Sequence, residues 1–282
     1  MPYIILFVYL AIALALQLLM GDFPVAFFSF PLNLLIALLW LIGMSCIWMN
    51  RRKSLFVTFM LSKGATISAV MLFLAFCLVI GITGMRSLVN TWVFAAFMLY
   101  FQTVLLYVIL RGWREKTATG ARLGRIRWRF LLNHVGLLVA VSAAFWGAPD
   151  SRTTRLLCYK DVPVREAARM DGTTEWLPYA VELKDFRVDK YENGVPAMYE
   201  ADVLVDGVPA TLKVNHPFSK RIGQDIYLSG YDSVTVEEPG YCIIQVVNEP
   251  WKYGAVAGIT MMLAGAMMMF LAGPKKRYGE ED

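Results

Sequence analysis

Six stretches, 3–20, 32–49, 64–84, 91–110, 130–147 and 254–273, contain no Asp, Glu, Lys or Arg. Each is about the length that an α-helix needs to cross a bilayer core. The first is too poor in basic residues at its start to read as a cleaved leader. It has no small-residue cleavage site and a second apolar run follows at once, so it is expected to be a retained span. Between spans five and six the texture changes. Residues 179–186 alternate apolar and polar. Asp206-Gly207 separates 198–205 from 208–214, which predicts a tight hairpin, and Asn193-Gly194 is a second turn signal. Residues 225–229 and 241–247 predict two further strands. The segment 161–174 is more polar and is expected to be a short helix or a loop. With no helical period between the strands, the sheet should be antiparallel, in a small sandwich or an open barrel.

The expected fold class is therefore a polytopic α-helical membrane protein with about six spans and one antiparallel β domain. Its parts are 1–50 (two spans), 51–148 (three spans with basic loops), 149–250 (the β domain, extracytoplasmic) and 251–282 (the last span and a cytoplasmic tail). Composition agrees: 57% of the 282 residues are hydrophobic, 17% are charged, and mean hydropathy is +0.52. A water-soluble domain carries about 25% charged residues. An ordinary cytosolic enzyme and a disordered chain are thereby excluded.

The net charge of +5 is segregated. Residues 149–250 hold 11 Lys+Arg and 17 Asp+Glu, a net of −6, and the rest of the chain carries +11. The positive charge flanks spans: Arg51, Arg52, Lys53 and Lys63; Arg111, Arg114, Lys116, Arg122, Arg125, Arg127 and Arg129; and Lys275, Lys276 and Arg277. By the positive-inside rule these segments are cytoplasmic, as are both termini, and 149–250 lies outside. The expected setting is a bacterial inner membrane. The basic loops set topology and meet anionic lipid, and no nucleic-acid partner is implied. Pro250 should end the sheet, with Trp251 and Tyr253 as interfacial anchors.

The chain has no G-x-x-x-x-G-K-[ST], H-E-x-x-H, G-x-S-x-G, C-x-x-C or C-x-x-C-H motif. No self-contained catalytic centre can be read, and the acidic residues of 149–250 read as a solvated face. Cys46 and Cys77 fall in spans and should pack as small hydrophobes. Cys158 and Cys242 share the outer domain, where a disulfide is chemically allowed and the spacing leaves pairing open. His134 lies about one turn into span five. An ionisable group in a span is costly and faces protein or a cavity. It is either a histidine hydrogen-bonded within the helices or a ligand to haem iron. His216, before Pro217, reads as a surface-turn residue. Gly254 and Gly258 form a G-x-x-x-G, which permits close helix packing. Met261, Met262 and Met267 to Met269 read as packing or lipid-facing side chains.

Several strings resemble the ResB (CcsB) family of cytochrome c biogenesis proteins. They are Val214-Asn215-His216-Pro217 with Gly223 and Ile226-Tyr227-Leu228-Ser229-Gly230-Tyr231-Asp232; Val181-Glu182-Leu183-Lys184-Asp185-Phe186 with Tyr191 and Gly194; Val246-Val247-Asn248-Glu249-Pro250; and Asn133-His134-Val135-Gly136. The resemblance spans roughly 64–277. Leu228 stands where the family often has Gln, the first two spans have no counterpart in a four-span core, and the family's G-T-x-x-P-Q signature is absent after Gly81-Ile82-Thr83-Gly84. The W-W-D segment of CcsA proteins is also missing, so a fused synthase is excluded. The resemblance implies an accessory subunit, not catalytic by itself, of system II. There haem crosses the membrane with a CcsA-type partner and is joined to apocytochrome c outside. His134 is then the candidate haem-binding residue and iron ligand, with a partner subunit supplying any second axial ligand. The competing reading is a structural or sensing membrane protein whose β domain binds an extracytoplasmic partner, without haem.

Overall fold

The computed structural model describes residues 2–114, 125–193, 196–232 and 240–272. They form two compact units, one of residues 1–149 with 252–282 and one of residues 150–251. Lys116, Arg122, Gly194 and Lys275 to Arg277, used above, lie outside the described residues.

The first unit is helical: α1 (Pro2–Met20), α2 (Leu32–Asn50), α3 (Leu55–Met60), α4 (Lys63–Thr83), α5 (Trp92–Gly112), α6 (Trp128–Gly147) and α7 (Lys252–Ala272). All but α3 are long and apolar enough to cross a membrane, as the hydropathy pattern predicts. Side-chain caps set three starts. Ser54, Ser62 and Thr91 accept from the amides of Val57, Ala65 and Phe94. The short α3 was not foreseen, because six residues between basic positions give too little periodicity to read. At the end of α4, Gly84 adopts φ +66°, a left-handed cap that a side chain would resist.

Helix α5 is the most buried span. Its Phe97 and Tyr107 are fully enclosed. Polar side chains pin its neighbours to it, as expected where apolar surface gives helices no preference for each other over lipid. The Gln102 Oε1 accepts from Ser142 Oγ at 2.9 Å and from Trp146 Nε1 at 3.1 Å, both on α6. Tyr100 donates to the Ala65 carbonyl of α4 at 3.0 Å, and Tyr9 of α1 donates to the Ala96 carbonyl at 2.9 Å. On α2, the buried Asn33 donates to the Trp146 carbonyl at 2.8 Å.

Helices α6 and α7 approach through small residues. A Cβ on Gly258 would stand 2.5 Å from the Ala140 amide nitrogen and 2.5 Å from the Gly136 carbonyl oxygen, and one on Gly254 would stand 3.1 Å from the Ala143 Cβ. The G-x-x-x-G of α7 is thus a packing seam against α6, as its spacing predicts.

The second unit is one antiparallel sheet of β1 (Arg152–Tyr159), β2 (Pro163–Arg169), β3 (Thr174–Lys190), β4 (Pro196–Val205), β5 (Val208–Lys213), β6 (Phe218–Arg221), β7 (Gln224–Tyr231) and β8 (Tyr241–Asn248). Strand order is β5-β4-β3-β2-β1-β8-β7-β6. The sheet curls so that its edge strands meet, β5 lying near β6 and β7. One short turn joins those edges, with the His216 amide donating to the Lys213 carbonyl at 3.0 Å. It is an open barrel around Leu156, Val181, Val203, Ile226 and Ile244.

The hairpin at Asp206-Gly207 forms as predicted, with both residues at positive φ (57° and 79°), the signature of a type I′ turn. The expectation for 161–174 is corrected: β2 occupies half of it, followed by a tight turn with Gly172 at φ +84°. Its main inward residue is the small Ala167, fully buried, so the alternation carried almost no hydrophobic signal. Strands β1 and β6 were not foreseen either.

The acidic face is an ion-pair lattice. Arg187 on β3 reaches Asp202 at 2.6 Å, Glu200 at 2.7 Å and Asp185 at 3.1 Å, while Lys213 reaches Glu200 at 3.0 Å. The Arg187 bond, then one from Thr211, holds the Asp202 carboxyl below the usual range. Lys213 and then Arg187 do the same for Glu200. A depressed native pKa gives stability that is present above about pH 4 and is lost as pH falls through the native value. Thermal midpoints of the β unit, read by circular dichroism, should therefore drop as pH falls below about 4. Arg187→Met should flatten that drop, and equal slopes for the two proteins would refute the role of the lattice.

Candidate haem-binding site at His134

His134 is the seventh residue of α6, because the helix begins at Trp128, two residues before the apolar run. Its Nδ1 lies 2.9 Å from the Phe130 carbonyl oxygen, one turn back. A carbonyl only accepts, so Nδ1 carries the proton. In the neutral ring the Nε2 lone pair is then available, and Nε2 makes no hydrogen bond among the described residues. An imidazole fixed through Nδ1–H with Nε2 presented outward is the arrangement metal-binding histidines use. The Phe130 ring stacks on the imidazole at 4.0 Å and 28°, fixing its plane.

His134 lines an open pocket of about 720 Å³. Ile126, Arg127, Trp128, Arg129, Phe130 and Asn133 form one side, and Met268 and Met269 of α7 form the other. The Arg127 guanidinium lies 4.8 Å from the centre of the Phe130 ring and donates to the Gly112 carbonyl at 3.1 Å. Arg111 donates to the Leu61 carbonyl at 3.1 Å. The basic end of α5 is thus held against the start of α6 on one side and against the α3–α4 connection on the other. Asn133 lines the pocket too. Its amide donates to the Arg129 carbonyl at 2.8 Å and sits over Gly265, where a Cβ would be 2.4 Å from its nitrogen. With its amide engaged, Asn133 is a poor second ligand, in line with its position on the helix.

The site brings together more than the sequence suggested. Arg127 and Arg129 read as topology determinants, and they also wall the pocket. Met268 and Met269 read as packing or lipid-facing residues, yet they border the histidine. The G-x-x-x-G seam could have placed them, since it sets α7 antiparallel along α6. His216 is exposed in the turn between β5 and β6, next to Asn215 at φ 61°, as a surface-turn residue should be. Trp251 donates through Nε1 to Asp150 Oδ2 at 2.7 Å, which ties the two ends of the β unit together.

Among the described residues no group of three or more His, Cys, Asp or Glu is placed to hold a metal ion. A protein-only metal centre does not fit there. A metal carried by its own macrocycle needs fewer protein donors, and the lining offers the residue types to hold one: an imidazole, apolar side chains and two guanidinium groups. A second cavity of about 550 Å³ lies at the opposite helix ends, between Tyr9, Phe23, Asn33, Trp92 and Trp146. Among the described residues no charged side chain lines it.

The ResB-like family model matches residues 108–238, from the end of α5 through α6 and most of the β unit. This stretch is ResB-like. The match supports the resemblance read from the sequence over those residues, a narrower stretch than the roughly 64–277 expected. No curated protein matches the chain. Among solved structures, one titled cytochrome c haem lyase CcmF is similar at 13% identity and a TM-score of 0.35, covering 61% of this chain and 30% of that one. The chain thus spans under a third of that protein.

Gly223 and the Val246–Pro250 string, the latter beyond the matched residues, gain a physical reason from the fold. Gly223 has φ +78°, and a Cβ there would lie 2.6 Å from the Pro250 Cα. Its carbonyl accepts from the Glu249 amide at 2.6 Å. Gly223 and Asn248-Glu249-Pro250 are therefore one structural unit, in which β7 begins against the end of β8.

Proposed function

We infer that this protein is a membrane subunit of cytochrome c maturation that receives haem at His134. It would act with a CcsA-type partner, which carries haem across the bilayer and presents it to apocytochrome c. The observation that carries this reading is the His134 imidazole, fixed through Nδ1–H on the wall of a pocket that Arg127 and Arg129 also line. His134 would hold the iron through its imidazole, the two arginines would hold the haem carboxylates, and Trp128, Phe130 and the methionines would supply apolar contact. Bound haem supplies an iron whose redox state and ligands decide when it can be passed on. A ligand at a pocket open on one side can be released to another protein.

Charge supports the orientation. Arg51, Arg52, Lys53, Lys63, Arg111, Arg114, Arg125, Arg127 and Arg129 flank alternate ends of the spans, and the positive-inside rule favours the cytoplasmic side for those ends. His134 would then meet haem where it is made, and the β unit would lie outside, beside the thiols of apocytochrome c.

Purification of the chain with a CcsA-type protein should yield a Soret absorbance that follows the chain through the column. No Soret band in either the single chain or the pair would refute the haem reading and leave a structural or sensing protein.

A further inference from the structure

Cys158 on β1 and Cys242 on β8 are direct cross-strand partners. Both are fully buried in the barrel core. Directly opposed residues of an antiparallel pair have Cα atoms about 4.5–5.5 Å apart, inside the window of about 4.4–6.8 Å that a disulfide needs. Their side chains share one face and touch. The neighbouring Cys158 sulfur, and then burial, pushes the pKa of the Cys242 thiol well up. Cys46 and Cys77, by contrast, are exposed on α2 and α4. Strands β1 and β8 are the first and last of the unit and sit side by side in mid-sheet.

We propose that Cys158 and Cys242 are a disulfide site, closed by exchange with a protein disulfide oxidant in the outer compartment. This rests on the outward placement of the β unit given above. One thiolate attacks the oxidant's disulfide, giving a mixed disulfide and releasing one oxidant thiol. The second thiolate attacks the mixed disulfide and releases the other. Two protons and two electrons pass to the oxidant, which leaves as a dithiol. The folded pair is buried away from any oxidant, so exchange is slow once the barrel has closed. It is fast while β8, the last strand made, is still arriving at β1. The bond then closes a loop of roughly 80 residues, long enough to restrict the unfolded chain strongly.

The test counts thiols in the full-length protein. Cells are quenched in acid, the protein is unfolded in detergent, and free thiols are tagged with a large maleimide before and after reduction. The expected result is two tags before reduction, at Cys46 and Cys77, and four after. A Cys158→Ser variant should carry three tags in both lanes, because Cys242 loses its partner. Four tags on the unreduced wild type overturn the proposal if an alkaline-phosphatase fusion near residue 200 is active, which shows the unit outside. If that fusion is silent, the orientation has failed, and oxidised glutathione added to purified protein in mild denaturant decides the site. Two tags would then sustain it and four would overturn it.

Discussion

Replacing His134 with Ala should lower haem retained by the purified complex, and cytochrome c matured in cells, by roughly tenfold or more. The protein should remain in the membrane at normal amounts. The imidazole is half-buried, and its one hydrogen bond among the described residues runs to a carbonyl within its own helix. Removing it leaves no buried group unpaired between helices, so a stability effect should be small. A ligand role predicts something packing does not: added imidazole should restore part of the Soret band by filling the vacated iron position. Changing the exposed His216 to Ala should alter neither haem nor cytochrome levels. Normal haem and normal maturation in the His134→Ala protein would end the ligand reading and leave His134 as a helix-packing residue.

What the sequence could reveal depended on how each feature is encoded. Spans are written as uninterrupted apolar length, so all six long helices were legible. The Asp206-Gly207 hairpin was legible because positive φ at two successive positions strongly favours these residue types. Strand β2 was not, since its register is held by Ala167 and by ladders to β1 and β3, and non-local pairing leaves little local trace. At the candidate site, His134 stood out because an ionisable residue inside a span demands a reason. Its surroundings were hidden. Arg127 and Arg129 already had a sufficient explanation in topology, and Met268 and Met269 lie more than 130 residues away in sequence. Only the contact of α6 with α7 brings them to His134. The Cys158–Cys242 pairing was likewise invisible, because spacing says nothing of register while the β1–β8 ladder fixes it directly.

That contact can be broken from a distance. Gly258→Leu should lower the thermal midpoint of the purified chain by about 5–10 °C, the effect of overpacking by a few kcal/mol. It should also reduce haem retention. The added side chain would meet the Ala140 nitrogen and the Gly136 carbonyl oxygen. Both are backbone, so no rotamer change relieves the overlap and the helices must part. Parting α7 from α6 also shifts Gly265 away from Asn133 and carries Met268 and Met269 off the wall beside His134. Gly81→Leu is the matched control. That glycine also lies in a span, and a Cβ there meets nothing within 4 Å. It should leave the midpoint within about 2 °C, or raise it slightly, since leucine favours helix over glycine. If Gly258→Leu behaves like Gly81→Leu, close packing of α6 on α7 does not hold the pocket. If it lowers the midpoint while haem stays at full level, the pocket tolerates the loss of its α7 wall, and the methionines have no part in holding haem.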